Sequence, residues 1–248
     1  MHFPGAFFLA LLPSLALAHP HPDSALEKRS QTLIPTSCFD STSALTTFFE
    51  YHYPWGQTHN GAAIMWSGHS QILSPGTLTL WSTYTGSSPY SYDSGTVYAK
   101  QQFTVAQGSG LTFSADFIAP VAKGTWPAFW LTGANSWPPE VDIAEWKGNG
   151  MINFNTFNTS SAVQVTQIPY NNPGSFHTIR AVLEDENGSD VSIKFYMDGQ
   201  QTAHQYAHGL VGQPLWLIID LQMEGSSGSP GPKSKTNYEI KNLQVTQP

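Results

Sequence analysis

The sequence predicts an all-β protein, a sandwich of two sheets, on three observations. Short runs of alternating or continuous apolar residues recur along the chain, as at Thr77–Ser82, Gly110–Ile118 and Leu215–Gln222. Gly- and Pro-rich turns separate them, such as His59-Asn60-Gly61, Pro75-Gly76 and the stretch from Gly225 to Pro232. No amphipathic helix of useful length and no internal repeat is legible between them. Strands that each bury one face, closely spaced, become stable by stacking into two layers.

The termini and composition set the bounds. Phe7–Leu17 is an apolar run too short to span a membrane, closed by the small-x-small step Ala16-Leu17-Ala18. It reads as a secretory signal peptide over residues 1–18. His19–Arg29 is polar and ends in the dibasic pair Lys28-Arg29, which predicts a propeptide over residues 19–29. Residues 30–248 then form one domain, long enough for a sizeable core. Asn158-Thr159-Ser160 and Asn187-Gly188-Ser189 are glycosylation sequons. The single cysteine, Cys38, cannot form an intrachain disulfide and is expected to be a buried structural thiol. A net charge of −7 argues against nucleic acid or an acidic polymer as partner. Aromatic residues reach 13%, with eight Trp, which suits a neutral polysaccharide whose pyranose faces stack on rings. A monomer without membrane attachment, cofactor or metal is expected. His59, His69, His177, His204 and His208 read as surface or core residues.

Taken in order, the strands are expected as follows. Thr46–Tyr51 forms a first strand or turn, and Ala62–Trp66 a short strand. Ser70–Leu73 and Thr77–Ser82 pair across Pro75-Gly76, because Leu78 and Leu80 alternate with Thr77, Thr79 and Trp81. Pro89–Gly95 is a loop, followed by strands Thr96–Lys100, Gln102–Val105 and Gly110–Ile118. Strands Trp126–Trp130 and Glu140–Glu145 are joined by a loop holding Trp137. Met151–Thr159 alternates. Phe176–Leu183 and Val191–Met197 follow, the latter ending in the turn Met197-Asp198-Gly199. Leu215–Gln222 is a long apolar strand, and Tyr238–Val245 closes the sheet.

Function is concentrated in Glu140-Val141-Asp142-Ile143-Ala144-Glu145. Charged residues make up only 11% of the chain, yet three acids fall within six residues on an apolar strand. Like charges so close oppose each other's ionisation, and apolar surroundings add to that cost. Such groupings occur where protons are moved. Strict alternation puts Glu140 and Asp142 on one face and Glu145 on the other. One extra residue at Ile143-Ala144, a β-bulge, returns Glu145 to the face of the other two and leaves Val141 and Ile143 for the core. Trp126 and Trp130 share a face of the preceding strand, and at least one is expected to stack on sugar.

Gly124-Thr125-Trp126-Pro127-Ala128-Phe129-Trp130 followed by Glu140-x-Asp142-x-x-Glu145 closely resembles glycoside hydrolase family 16, which includes laminarinases, mixed-linkage glucanases and endo-galactanases. The likeness covers Ser91–Val245 well and the segment before it poorly. It implies a concanavalin-like jelly roll with a substrate cleft on a concave sheet. It implies that Glu140 is the nucleophile, Glu145 the general acid/base and Asp142 the carboxylate assisting between them. Trp126, Trp130 and Trp137 would then bind substrate. Three departures stand out. No His lies on Met151–Thr159, so Asn155, in preference to Asn158, would take the place of the family's histidine. Pro139 precedes Glu140 where many laminarinases have Gly. Asp220 stands where the family often has Asn.

The leading function is therefore a secreted, endo-acting, retaining hydrolase of β-1,3 or β-1,3/1,4-glucan, with β-1,3-galactan as the alternative substrate. A polysaccharide lyase is disfavoured by the few Lys and Arg, 10 in all. A lectin on the same fold has no need for three adjacent carboxylates.

Overall fold

The computed structural model describes residues 1–2 and 30–248. The expected signal peptide and propeptide fall, from residue 3 to 29, outside the described residues. The rest folds as one sandwich of two sheets, as predicted.

In chain order the strands are β1 (Gln31–Ile34), β2 (Phe49–Tyr51), β3 (Ala63–Met65), β4 (Ser70–Ser74), β5 (Thr77–Tyr84), β6 (Tyr92–Ser94), β7 (Thr96–Ala99), β8 (Gly110–Ile118) and β9 (Thr125–Gly133). They continue with β10 (Glu140–Trp146), β11 (Met151–Phe157), β12 (Val163–Pro169), β13 (His177–Asp185), β14 (Val191–Met197), β15 (Gln200–Ala207), β16 (Leu215–Met223) and β17 (Thr236–Gln247). One sheet runs β15-β14-β13-β8-β17-β5-β6-β3, with β1 added on β17 and β4 on β5. The other runs β12-β11-β10-β9-β16-β7-β2 and carries the three acids.

The core lies between the sheets and is built by the inward half of each alternating strand. Phe113, Ala115 and Phe117 of β8 face Phe129 and Leu131 of β9, Val141 and Ile143 of β10, and Ile219 and Leu221 of β16, all fully or almost fully buried. Aromatic pairs tie the layers together. Phe117 meets Phe129 at 5.2 Å and Trp146 at 5.8 Å between ring centroids, and Phe154 meets Phe195 at 5.4 Å. Rings in such arrangements add about 0.5–1.5 kcal/mol beyond the area they bury. Cys38 is buried, as expected, and its thiol donates to the Leu243 carbonyl at 3.7 Å.

Several elements differ from the sequence reading. Residues Thr42–Phe48 form an α-helix (α1), and only Phe49–Tyr51 is strand. The cause is Ser41, whose side chain accepts from the Ala44 N–H at 3.0 Å and caps the first turn. Gln102–Val105 is not a strand. Phe103 alone bridges to Leu215, and Phe103 and Val105 are buried as core plugs, so their alternation reports burial rather than pairing. The expected loop at Pro89–Gly95 contains β6, which pairs with β3 and β5. Strands β1, β12 and β15 have no counterpart in the sequence reading.

Candidate active site

The bulge forms where parity demands it. On β9, Trp130 pairs with Asp142 and Ala128 with Glu145, a separation of two residues facing one of three. On the other side, Asn155 pairs with Asp142 and Asn153 with Glu145. The extra residue thus falls at Ile143-Ala144, both fully buried. Glu140, Asp142 and Glu145 consequently line one pocket on the open face of the seven-stranded sheet.

Each carboxyl is held by neutral donors. The indole N–H of Trp137 donates to Glu140 Oε2 at 2.8 Å, and that of Trp126 to Glu145 Oε1 at 2.7 Å. Asn155 Nδ2 donates both to Asp142 Oδ2 and to Glu145 Oε2, each at 2.8 Å. Its amide thereby spans Asp142 and Glu145 rather than facing Glu140. Asn158 is spent elsewhere, donating to the Tyr206 carbonyl and accepting from the His208 N–H. Lys147 brings a cation into the cleft, its Nζ 3.0 Å from Glu145 Oε2.

Burial dominates the electrostatics. It pushes Glu140 up to about 7, opposed by the Trp137 indole and reinforced by the charge of Glu145. It also holds Asp142 well above the usual carboxylate range, with the charges of Glu145 and Glu140 adding and the Asn155 amide opposing.

The expected tryptophans are brought together differently. Trp126, half-buried, lines the pocket over the acids. The turn after β16 leaves room for it because Gly225 abuts the ring: a Cβ there would sit 2.7 Å from Trp126 Cζ3. Trp137 is exposed and flanks Glu140 at the end of the cleft shared with Trp55. Trp130 is only 4% exposed, with His59 stacked at 5.4 Å and Trp55 edge-on at 6.1 Å.

Besides Lys147, three residues of this site were missed by sequence reasoning. Asp220 of β16 lines the same pocket, opposite the triplet. Its Oδ2 accepts from the Tyr53 hydroxyl at 2.7 Å and its Oδ1 from the Trp130 indole at 2.9 Å. Burial pushes it up to about 7 despite these two donors, with Glu145 adding. His59 borders the pocket from the loop before β3, and burial lowers it to about 4, so its ring is neutral near pH 7. Tyr53 comes from the same segment. The signal available was Asp220 itself, an acid inside an otherwise apolar strand. His204 and His208 are spaced as some ligand pairs are, but one bonds Ser192 and the other Asp190.

Carboxyls in a row on an open sheet face, one able to attack and another to give up a proton, between aromatic walls, define a glycoside hydrolase. The chain belongs to glycosyl hydrolases family 16, whose family model matches residues 58–239. It is 47% identical over 228 residues to a galactan endo-beta-1,3-galactanase of Flammulina velutipes, spanning 87% of this chain and 90% of that one. It is 26% identical over 148 residues to an endo-1,3-1,4-beta-glycanase of Rhizobium meliloti, spanning 57% of this chain and 30% of that protein. The crystal structure of an endo-1,3-beta-glucanase from Streptomyces sioyaensis superposes with a TM-score of 0.70 at 20% identity, covering 93% of this chain and 99% of the other.

Proposed function

We propose that the enzyme is a secreted, monomeric, endo-acting hydrolase of β-1,3-linked galactan that works with retention of configuration. The observation that carries the chemistry is the bulge, which places Glu140, Asp142 and Glu145 on one face with their side chains lining one pocket. The galactan-cleaving relative, at 47% identity over nearly the full chain, supports galactan ahead of the glucan that the motif alone put first. Secretion is supported by the signal-like residues 1–18. Among the described residues no helix is long and apolar enough to cross a membrane.

In this reading Glu140 attacks the anomeric carbon while Glu145 protonates the departing oxygen. Their Cα atoms lie about 13 Å apart along a bulged strand, and two inward-leaning Glu side chains shorten that to the roughly 5–5.5 Å gap of double displacement. Esterification removes the charge of Glu140, and the loss of one like charge favours ionisation of its neighbours, so a base is available to activate water in the second step. Asp142, between them and tied by Asn155, tunes the charge on Glu140 as the glycosyl-enzyme forms and breaks. Trp126 and Trp137 supply ring surface to the sugars on either side, and each fixes a carboxyl through its N–H.

Two experiments test this. Purified enzyme incubated with β-1,3-galactan, laminarin, lichenan and chitin should lower the viscosity of the galactan solution first and release short oligosaccharides. Cleavage of laminarin or lichenan with galactan untouched would overturn the substrate. Glu140→Ala and Glu145→Ala should each lose activity by several orders of magnitude, and azide should restore turnover to the first, with a product of opposite anomeric configuration. An inverted product from the unsubstituted enzyme, read by NMR in the first minutes, would remove Glu140 from the nucleophile's role.

A further inference from the structure

The wall facing the acid triplet carries Asp220, an acceptor with bonding capacity to spare. Across the sheet, Glu145 pairs with Ala128 and Ala128 pairs with Asp220. Neighbouring strands lie about 4.8 Å apart, so the Glu145 and Asp220 Cα atoms are separated by roughly 10 Å, with only a methyl group between them. Trp126 and Trp130 stand on either side of Ala128 along β9 and on the same face. The result is a floor the width of one sugar ring, bounded by carboxyls on two sides and indoles at the ends.

The Gln222 oxygen and both indole N–H groups beside it are already engaged. Gln222 Oε1 accepts from the N–H groups of Ala63 and Met223, and its Nε2 donates to the His59 carbonyl. The close approach of Gly61, where a Cβ would meet Gln222 Cγ at 2.5 Å, pins that side chain. The Trp126 and Trp130 N–H groups are spent on Glu145 and Asp220. Asp220 accepts one hydrogen bond on each oxygen, which leaves each with a free lone pair. Its two donors also fix the carboxyl plane. Trp130 can only donate, and Tyr53 is 2% exposed.

We propose that Asp220 is a substrate-binding residue, accepting a hydrogen bond from a ring hydroxyl of the sugar seated on Ala128, and that its fixed orientation selects which epimer is cleaved. A galactose and a glucose differ in the direction of one hydroxyl. An acceptor strapped on both oxygens cannot turn to follow it, and a site built to bond a hydroxyl strongly rejects a sugar that fails to present it. The assignment rests on the hydrolase reading above and is independent of which of the two polymers is preferred.

The test is a cycle between Asp220→Asn and a series of β-1,3-linked oligosaccharides, each lacking one hydroxyl on the sugar donated to Glu140. Asn keeps the shape, the Trp130 bond through its oxygen, and a Tyr53 bond with the hydroxyl reversed. Expected is a 10- to 100-fold loss of kcat/KM on the full substrate, and one deoxy position whose removal costs the parent enzyme a similar factor but costs Asp220→Asn little. Tyr53→Phe, which frees the carboxyl to turn, should lower the ratio of activity on the preferred polymer to that on its epimer by 10-fold or more. Additive losses at every deoxy position, or an unchanged epimer ratio in Tyr53→Phe, would overturn the assignment while leaving the hydrolase intact. Should Asp220→Asn fail to fold, the Tyr53→Phe ratio decides alone. A parent enzyme that cleaves neither polymer would bring down both readings together.

Discussion

Replacing Asp220 by Asn should raise stability relative to the parent by a margin that widens as pH rises. Asp220 is 3% exposed, and burial pushes it from an ordinary value near 4 up to about 7. Because the folded form holds its proton more tightly than the unfolded chain, folded molecules bind more protons between pH 4 and pH 7, and stability falls as pH rises through that window. Below about pH 4 the group is neutral in both states and the cost is absent. Above about pH 7 it is complete. Three pH units at 1.36 kcal/mol each set it at about 4 kcal/mol. Asn does not titrate, so the difference between variant and parent should grow by about this much from pH 3 to pH 8. Exchange of the Tyr53 and Trp130 bonds adds an offset that does not vary with pH, which makes the slope diagnostic. For a domain of this size the change corresponds to about 10 °C in Tm across the range. Thermal unfolding of both proteins at six pH values would measure it. Parallel Tm profiles would show that Asp220 carries no such burden, and would refute the electrostatic account of this wall.

Other outcomes follow from the same contacts. Lys147 opposes the burial that raises Glu140 and Asp142. Lys147→Met should therefore shift the acid limb of the kcat/KM profile, where Glu140 must ionise, upward by about one pH unit; a limb that stays in place would exclude Lys147 from tuning the acids. Trp126→Ala should raise KM by about fivefold, the equivalent of roughly 1 kcal/mol of ring contact, with the fold intact by circular dichroism. Trp126→Phe, which keeps a ring but loses the N–H to Glu145, should leave KM near the parent value and lower kcat; equal effects on KM from both changes would mean that the indole N–H is immaterial. Burial pushes the Cys38 thiol up to about 12, so a thiol reagent should fail to label native protein and should label one site per chain in guanidinium.

Much of the site was legible because its logic is local. The bulge follows from three acids that must share a face and two aliphatic residues that must not, all within Glu140–Glu145. Asn155 was reachable too, since β11 follows β10 in sequence and pairs with it directly. What escaped depends on strand order. Asp220 faces Glu145 only because β16 and β10 flank β9, a fact that periodicity within β16 does not contain. His59 and Tyr53 reach the cleft from a segment held by isolated bridges, Tyr53 to Gly56 and Thr58 to Ile64, which leave no pattern. Strand β12 was missed for a physical reason of its own. It is an edge strand without a fully buried residue, and Val165 points to solvent at 62% exposure, so no core-facing stripe marks it.

The pairing of tryptophans with carboxyls explains how so few charges suffice here. Trp126 holds Glu145, Trp137 holds Glu140 and Trp130 holds Asp220, each through an indole N–H. An arginine in any of these places would supply a full positive charge and favour the carboxylate strongly. An indole fixes the oxygen in space but offsets burial only in part, which is why Glu140 and Asp220 both rise to about 7. A carboxyl fixed in position yet poised near neutrality can take up and release a proton during a turnover at small cost. The same ring that provides the N–H also lines the cleft, as Trp126 and Trp137 do. Orientation and ring surface are thus supplied by one residue type, while burial sets the proton affinity of Glu140 and Asp220.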